Sequence, residues 1–82
     1  MRIVNLKKGI DIEYDKYDFI IEEEINLNVG NCNKMYHLCA IENDKKIAIY
    51  SHEDKSKVTN VLYNMSINYK INNKVCILDN IK

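Results

Sequence analysis

The hydrophobic period of this chain changes at Ser51, and that change constrains the fold more than any other feature of the sequence. Before Ser51, apolar and polar residues alternate in short runs, which is typical of strands with one buried face. After it, apolar residues recur three and four positions apart, which is typical of an amphipathic helix. We therefore predict an α+β fold: an antiparallel β-sheet of four to six strands, one amphipathic helix packed on one face, and a short C-terminal strand.

Two β-hairpins are predicted from pairs of β-prone segments with a turn sequence between them. Residues 2–5 and 10–13 flank the turn LKKG, whose Gly9 supplies the backbone freedom that such a short turn requires. Residues 34–41 and 46–50 flank the loop ENDK. The chain therefore alternates strands and turns over most of its first fifty residues.

The longest alternation covers residues 17–29 and contains one anomaly. Glu23 is the one charge on its apolar side. An unpaired carboxylate that faces a core costs several kcal/mol, so we expect a bulge or a strand break at residues 22–24. The segment GNCN at residues 30–33 is predicted to be a turn.

The predicted helix covers residues 51–71, within a couple of residues. Ser51 is the expected N-cap, and Glu53 and Asp54 would lie in the first turn, where negative charge suits the helix dipole. The two asparagines after the helix favour a left-handed stop, and the segment KVCIL that follows them is predicted to be the last short strand.

The helix carries more apolar residues than one sheet needs. A second row, Tyr63, Ile67 and Ile71, starts about 120° from the centre of the core-facing stripe, at 100° per residue. Either the C-terminal strand covers this row, or the row is a contact surface for a second copy or a foreign protein. The residues of the core-facing stripe itself are Val58, Val61, Leu62, Met65 and Tyr69.

Composition indicates one folded domain over residues 1–82, with 46% hydrophobic and 29% charged residues. The start of the chain lacks the apolar core of a signal peptide, and no apolar run approaches the length of a membrane span. The three cysteines form no CxxC pair and no disulfide framework. We therefore expect a protein of a reducing cytoplasm, that of a bacterial host cell, with no membrane association.

The segment DIEYDKYDFIIEEE, residues 11–24, has a net charge of −6 in a chain whose formal charge is zero. Most of its acids fall on predicted strand surfaces, where water keeps them ionised, and it lacks the glycine and spacing of a calcium loop. Two interpretations remain. The acids form the solvated side of a sheet, or they form an acidic patch that binds a basic partner or imitates nucleic acid.

No motif supports catalysis, a metal site or a cofactor. His37 and Cys39 lie two apart on one strand, near Cys32, but the spacing matches no common zinc site and a fourth ligand is missing. Nothing in the chain combines a nucleophile, a base and an anion site. His52, near the start of the predicted helix, is expected to lie on the surface. The lysines are spread through turns, helix and tail and there is one arginine, so direct nucleic-acid binding is not expected.

The sequence resembles a group of small uncharacterised proteins from phages and prophages of low-GC Gram-positive bacteria. The resemblance rests on the start MRIV, a polar turn with glycine, the pair ID and Tyr14, and on KIAIYS followed directly by HEDKSKV. Typical ends in that group resemble MRIVSQDGTIDVPY and AEYSTEEKA. The resemblance covers residues 1–69 in outline. This chain departs from the group in lacking the proline before Tyr14, in its longer middle and in residues 74–82. The resemblance implies a mobile-element origin and a sheet-plus-helix fold, and it carries over no activity.

We therefore expect a small non-enzymatic phage or mobile-element protein that binds and blocks a host protein with a basic surface. One concrete form is a counter-defence inhibitor that presents its acids to the nucleic-acid channel of a CRISPR-associated complex. The alternatives are a small-molecule or nucleotide-binding oligomeric sponge and a homo-oligomeric structural protein. The residues expected to bind the partner are Glu22, Glu23, Glu24, Tyr63, Ile67 and Ile71.

Overall fold

A computed structural model describes residues 1–28 and 31–81 of the chain and confirms the α+β fold. Within those residues, six strands form two three-stranded sheets, with one α-helix packed against them. One-turn 3-10 helices follow the second and sixth strands. The elements are β1 (Arg2–Asn5), β2 (Ile10–Glu13), β3 (Asp18–Asn28), β4 (Asn31–Glu42), β5 (Lys45–His52), α1 (Lys55–Lys70) and β6 (Val75–Ile77).

The first sheet has the strand order β2-β1-β6. β1 and β2 form the predicted antiparallel hairpin, and Gly9 adopts a φ of 66° in its turn. β6 joins the other side of β1 in parallel, with Ile3 opposite Cys76. Alternation within a segment does not show which strands pair, so the division into two sheets is visible only in three dimensions.

The second sheet is antiparallel, with β4 between β3 and β5. β4 and β5 form the second predicted hairpin, where Asn43 adopts a φ of 53°. The turn predicted at residues 30–33 is wrong for Asn31 and Asn33, which belong to β4, while Gly30 lies outside the described residues. Cross-strand pairing with β3 extends β4 beyond the segment whose alternation predicted a strand.

The bulge expected at residues 22–24 is absent, because β3 and β4 pair in continuous register from Asp18 to Asn28. The register instead shifts between β4 and β5, at Leu38 and Cys39. Glu23 avoids the cost that motivated the prediction, since its side chain is 43% exposed and pairs with Lys34 at 3.3 Å. Its position on the apolar side of the strand therefore needs no local distortion.

The helix begins four residues later than the predicted Ser51. Ser51 belongs to β5, and the N-cap is Asp54, whose Oδ1 accepts a hydrogen bond from the backbone N–H of Ser56 at 2.9 Å. Glu53 therefore precedes the helix and does not lie in its first turn. The predicted left-handed stop is confirmed, because Asn72 adopts a φ of 62° directly after the helix C-cap.

The core lies between α1 and the two sheets. Three residues of the predicted stripe, Val58, Val61 and Met65, are fully buried, whereas Leu62 is half-buried and Tyr69 is 43% exposed. The strands and the C-terminal 3-10 turn contribute the other fully buried large side chains, which are Ile3, Leu38, Ile49 and Leu78. The sheet-plus-helix prediction thus placed the apolar stripe on the correct side of the helix.

A buried asparagine joins the two sheets. Asn5, at the end of β1, is 6% exposed and donates a hydrogen bond from Nδ2 to the backbone carbonyl of Ile49 in β5 at 2.7 Å. Its Oδ1 accepts a hydrogen bond from the backbone N–H of Lys8 at 3.2 Å. Both ends of the amide are therefore satisfied, as a buried polar group requires.

Candidate functional site

The second apolar row of α1, defined by Tyr63, Ile67 and Ile71, faces solvent. Their exposed fractions are 64%, 37% and 62%. β6 pairs with β1 and leaves the row open, so the C-terminal strand does not cover it. A row of this kind on a helix that already buries one face is a candidate interaction surface.

An aromatic cluster joins the C-terminal half of α1 to the start of β3. The ring of Tyr14 stacks on that of Phe19, with centroids 5.2 Å apart, and meets the ring of Tyr69 at 4.6 Å. The Tyr69 hydroxyl donates a hydrogen bond to Asp15, and this bond raises the pKa of Tyr69. The rings and this bond fix the segment between β2 and β3 against the helix.

Beside this cluster, α1 and the start of β3 enclose an open cavity of about 560 Å³, which we call the aromatic cavity. Its volume lies within the range of small-ligand and peptide side-chain pockets. Tyr63 belongs to both the exposed row and the cavity, so the two form one surface. The residues that give the cavity its apolar character are Tyr14, Tyr17, Phe19, Leu62 and Tyr63.

A second depression, of about 390 Å³, adjoins the aromatic cavity and shares Tyr17 and Asp18 with it. Its charged lining residues are Asp15, Asp18 and Glu42, against the single cation Lys16. We call it the acidic depression. An apolar pocket beside a negatively charged one suits a partner in which an apolar side chain is followed by a basic one.

β3 forms an edge of its sheet, since within the described part of the chain it pairs with β4 alone. β5 ends opposite Tyr36, so the far end of the β3–β4 hairpin is two-stranded. Two apolar side chains on that end are exposed, Ile25 at 52% and Leu27 at 80%. An edge strand with exposed apolar side chains is a template for pairing with another strand.

The three consecutive glutamates of β3 are each paired within the sheet. Glu22 and Glu24 lie on one face of the strand and Glu23 on the other, so they do not form one continuous patch. The partners, with the closest nitrogen–oxygen distances, are Lys46 for Glu22 at 2.6 Å, Lys34 for Glu23 at 3.3 Å and His37 for Glu24 at 2.9 Å.

These pairs reduce the net negative charge that the sequence suggested for this segment. The hydrogen bond to Glu22 raises the pKa of Lys46, which keeps the ammonium charged. Pairs of this exposure are weak, because water competes for both partners. An incoming cation can therefore replace Lys46 or Lys34, although the acids are not free beforehand.

The sequence also failed to reveal a polar series around His37. His37 lies directly opposite Ser51 on the neighbouring strand, and its Nδ1 is 2.6 Å from the Ser51 Oγ. Lys8, from the turn between β1 and β2, reaches the same Oγ at 3.4 Å. These residues come from three different elements: the register of β4 and β5 brings His37 to Ser51, and the packing of the β1–β2 turn brings Lys8.

The cysteines that the structure describes are structural. Cys39 and Cys76 are both buried free thiols, and burial raises the pKa of each. The side chain of Cys32, considered above with His37 as a metal ligand, lies outside what the structure describes. Among the described residues, no group of three or more histidine, cysteine or acidic side chains is placed to hold a metal ion.

In residues 1–28 and 31–81, no helix has both the length and the apolar character that crossing a membrane requires. Comparison with protein-family models, curated proteins and solved structures finds no match to this chain.

Proposed function

We propose that this chain is a binding protein that occupies, and thereby blocks, a surface of another protein. The observation that carries the proposal is the surface formed by the exposed row of α1 and the aromatic cavity, which meet at Tyr63. Tyrosine and isoleucine suit such a surface, because tyrosine is apolar in body and polar at its tip.

The partner segment that best fits this surface is extended and joins the free edge of β3. Its main chain would pair with the strand, while one apolar or aromatic side chain enters the aromatic cavity. A neighbouring lysine or arginine would reach the acidic depression, where Asp15, Asp18 and Glu42 outnumber Lys16. The proposed partner is therefore a protein with an apolar anchor next to a basic side chain.

The charges of β3 favour a foreign partner over a second copy of this chain at the same edge. Glu23 is the midpoint of β3, with Glu22 and Glu24 on either side. Antiparallel pairing of two β3 strands about their midpoints would bring six carboxylates together with the four lysines that pair with Glu22 and Glu23. The acids outnumber these lysines, and like charges opposite each other are destabilising. A basic partner strand would instead find complementary charge.

The biological form that we propose is a counter-defence inhibitor of a basic host protein, such as a CRISPR-associated effector. The acidic β3 and the resemblance to phage proteins support this form. Arginines of a nucleic-acid channel could displace Lys46 and Lys34 from Glu22 and Glu23, because an arginine binds a carboxylate through two hydrogen bonds.

The test is a selection of displayed extended peptides against the folded protein, followed by binding measurements on variants. We expect enriched peptides to place Lys or Arg within two positions of an aromatic or large apolar residue. Tyr63→Asp and Asp18→Lys should each weaken binding by about tenfold or more, because Tyr63 lines the aromatic cavity and Asp18 lines both depressions. Lys57→Ala, at an exposed position of α1 that lines neither depression, serves as the matched helix control and should retain binding.

The same variants identify the host target by affinity capture from a low-GC Gram-positive lysate. A partner that wild type and Lys57→Ala retain, but that Tyr63→Asp and Asp18→Lys lose, would support the proposal. Enrichment of no peptide class, or binding that ignores both substitutions, would contradict it. A concentration-dependent oligomer lost on Ile67→Glu would instead favour the homo-oligomeric alternative.

A further inference from the structure

A serine, a histidine and a glutamate form a continuous hydrogen-bonded series across the second sheet. Ser51 Oγ lies 2.6 Å from His37 Nδ1, and His37 Nε2 lies 2.9 Å from Glu24 Oε2. The strand register holds all three, since Ser51 is opposite His37 and Glu24 is on the adjoining strand. Sites built on sheet strands are positioned more tightly than sites on loops.

The two ends of the series fix the direction of its hydrogen bonds. The Lys8 ammonium, 3.4 Å from Ser51 Oγ, can only donate, and the ionised Glu24 can only accept. With a neutral imidazole, His37 must then donate from Nε2 to Glu24, which leaves Nδ1 to accept the proton of the Ser51 hydroxyl. This is the polarity that a nucleophile, a general base and an orienting carboxylate require.

Ser51 also lines a cavity in which a small molecule could reach it. The cavity is about 370 Å³ and lies between the β1–β2 turn, the end of β5 and the C-terminal 3-10 turn. Its charged lining residues are Lys7, Lys8 and Asp79, and Ser51 and His52 line it as well. It is separate from the aromatic cavity, and no residue lines both.

We propose that Ser51 is a nucleophile for acyl transfer, with His37 as its general base and Glu24 as the residue that orients His37. Ser51 Oγ would attack the carbonyl carbon of an ester as its proton moves to His37 Nδ1. The carbon–oxygen bond to the alcohol would then break, and the alcohol would leave with that proton. Water would release the acid by the same route in reverse, restoring the Ser51 hydroxyl.

The cavity indicates the class of ester. Lys8 is the cation beside Oγ and would face the negative charge that develops on the carbonyl oxygen. Lys7, in the same cavity, would favour a substrate that carries a carboxylate or another anionic group, because the two lysines outnumber Asp79. The Asp79 carboxylate already accepts hydrogen bonds from the backbone N–H groups of Leu6 and Lys7. We therefore infer a small acyl ester with one negative charge. This inference does not depend on the proposed partner surface.

The experiment treats the folded protein with a fluorophosphonate probe and follows the adduct by intact-mass and peptide-mapping mass spectrometry. We expect a single adduct on Ser51 that Ser51→Ala abolishes. His37→Ala should slow its formation by about tenfold or more, since a general base typically contributes a hundredfold or more, and free imidazole should restore part of the rate. Ser56→Ala, an exposed serine on α1 that lines neither cavity, is the matched control and should react like wild type.

Glu24→Gln preserves size at an exposed position and tests the orienting role in a variant that should fold. It should slow labelling of Ser51 severalfold while leaving the thermal midpoint unchanged. Hydrolysis of anionic and neutral nitrophenyl esters then tests the substrate class, with preference for the anionic ester lost in Lys7→Ala. An adduct spread over other side chains, or one that forms equally fast in His37→Ala and Glu24→Gln, would overturn the proposal.

Discussion

His37 and Ser51 face each other across β4 and β5, with Nδ1 and Oγ 2.6 Å apart. This pairing assigns Ser51 to a strand, although its position before a helical pattern made it the expected N-cap. The cap is supplied three residues later by Asp54, whose carboxylate accepts hydrogen bonds from the Ser56 backbone N–H and hydroxyl. The different partners of Ser51 and Asp54 lead to different expectations for their substitution.

Asp54→Ala should destabilise the protein, whereas Ser51→Ala should leave the helix intact. Loss of the cap exposes an unsatisfied helical N–H, and we expect the thermal midpoint to fall by roughly 5 °C. Ser51→Ala removes a hydrogen bond to His37 but touches no helical N–H. Circular dichroism at increasing temperature distinguishes the two, and a larger effect for Ser51→Ala would contradict the observed helix start.

Met65 and Tyr63 lie two residues apart on α1 but in opposite environments. Met65 is fully buried and Tyr63 is 64% exposed. We expect Met65→Ala to lower the free energy of unfolding by about 2–5 kcal/mol, because it leaves a cavity in the core. Tyr63→Ala should change it by no more than about 0.5 kcal/mol. Urea unfolding measures both, and a costly Tyr63→Ala would mean that the exposed row is structural.

Asp79 makes stability sensitive to acid. Its carboxylate accepts hydrogen bonds from the backbone N–H groups of Leu6 at 2.7 Å and Lys7 at 3.3 Å, and the bond from Leu6 is the main reason that the pKa of Asp79 lies below its ordinary value of 3.8. A carboxyl whose folded pKa is lowered stabilises the fold above its unfolded pKa, and that contribution is lost as pH falls through the folded value.

Asp79→Asn should therefore be less stable than wild type at pH 7, and the difference should shrink below about pH 4. Urea midpoints at pH 7 and pH 3 provide the measurement. A constant difference between the two proteins at both pH values would show that the charge of Asp79 does not contribute. Asp18→Asn is a suitable surface control, since Asp18 is an exposed acid on a different element.

Cys39 and Cys76 should react slowly with alkylating reagents while the protein is folded. Burial raises the pKa of both thiols, which lowers the thiolate fraction at a given pH and also restricts access. We expect alkylation by iodoacetamide at pH 8 to be at least about tenfold slower in the native protein than in urea. Peptide mapping assigns each site, and rapid native modification of either would contradict its burial.

The sequence predicted the fold class, both hairpins and most of the core stripe because those features depend on local pattern. Gly9 and Asn72 adopt the positive φ values that their residue types suggested. The errors arose where tertiary pairing overrides local pattern. Glu23 looked like a defect in the strand because its partner, Lys34, lies on another strand. Ser51 looked like a helix cap because its partner, His37, also lies on another strand.

The candidate sites also divide into a feature that local pattern predicts and features that depend on tertiary arrangement. The exposed row of α1 was found from helical periodicity, since one helix needs only one buried face. The aromatic cavity and the acidic depression were not, because Tyr14 and Tyr17 meet α1 only through the turn between β2 and β3. A pattern within one element can reveal a surface of that element, but a cavity between elements requires their arrangement.

The parallel pairing of β6 with β1 has a consequence for the order of folding. Ile3 pairs with Cys76, which lies 73 positions further along the chain. During synthesis, β1 and β2 would leave the ribosome as a two-stranded unit, which is marginally stable alone in water. The three consecutive strands of the other sheet can meet without waiting for the rest of the chain. We therefore expect β3, β4 and β5 to provide the early folding nucleus and the β1–β6 contact, with its high contact order, to form last.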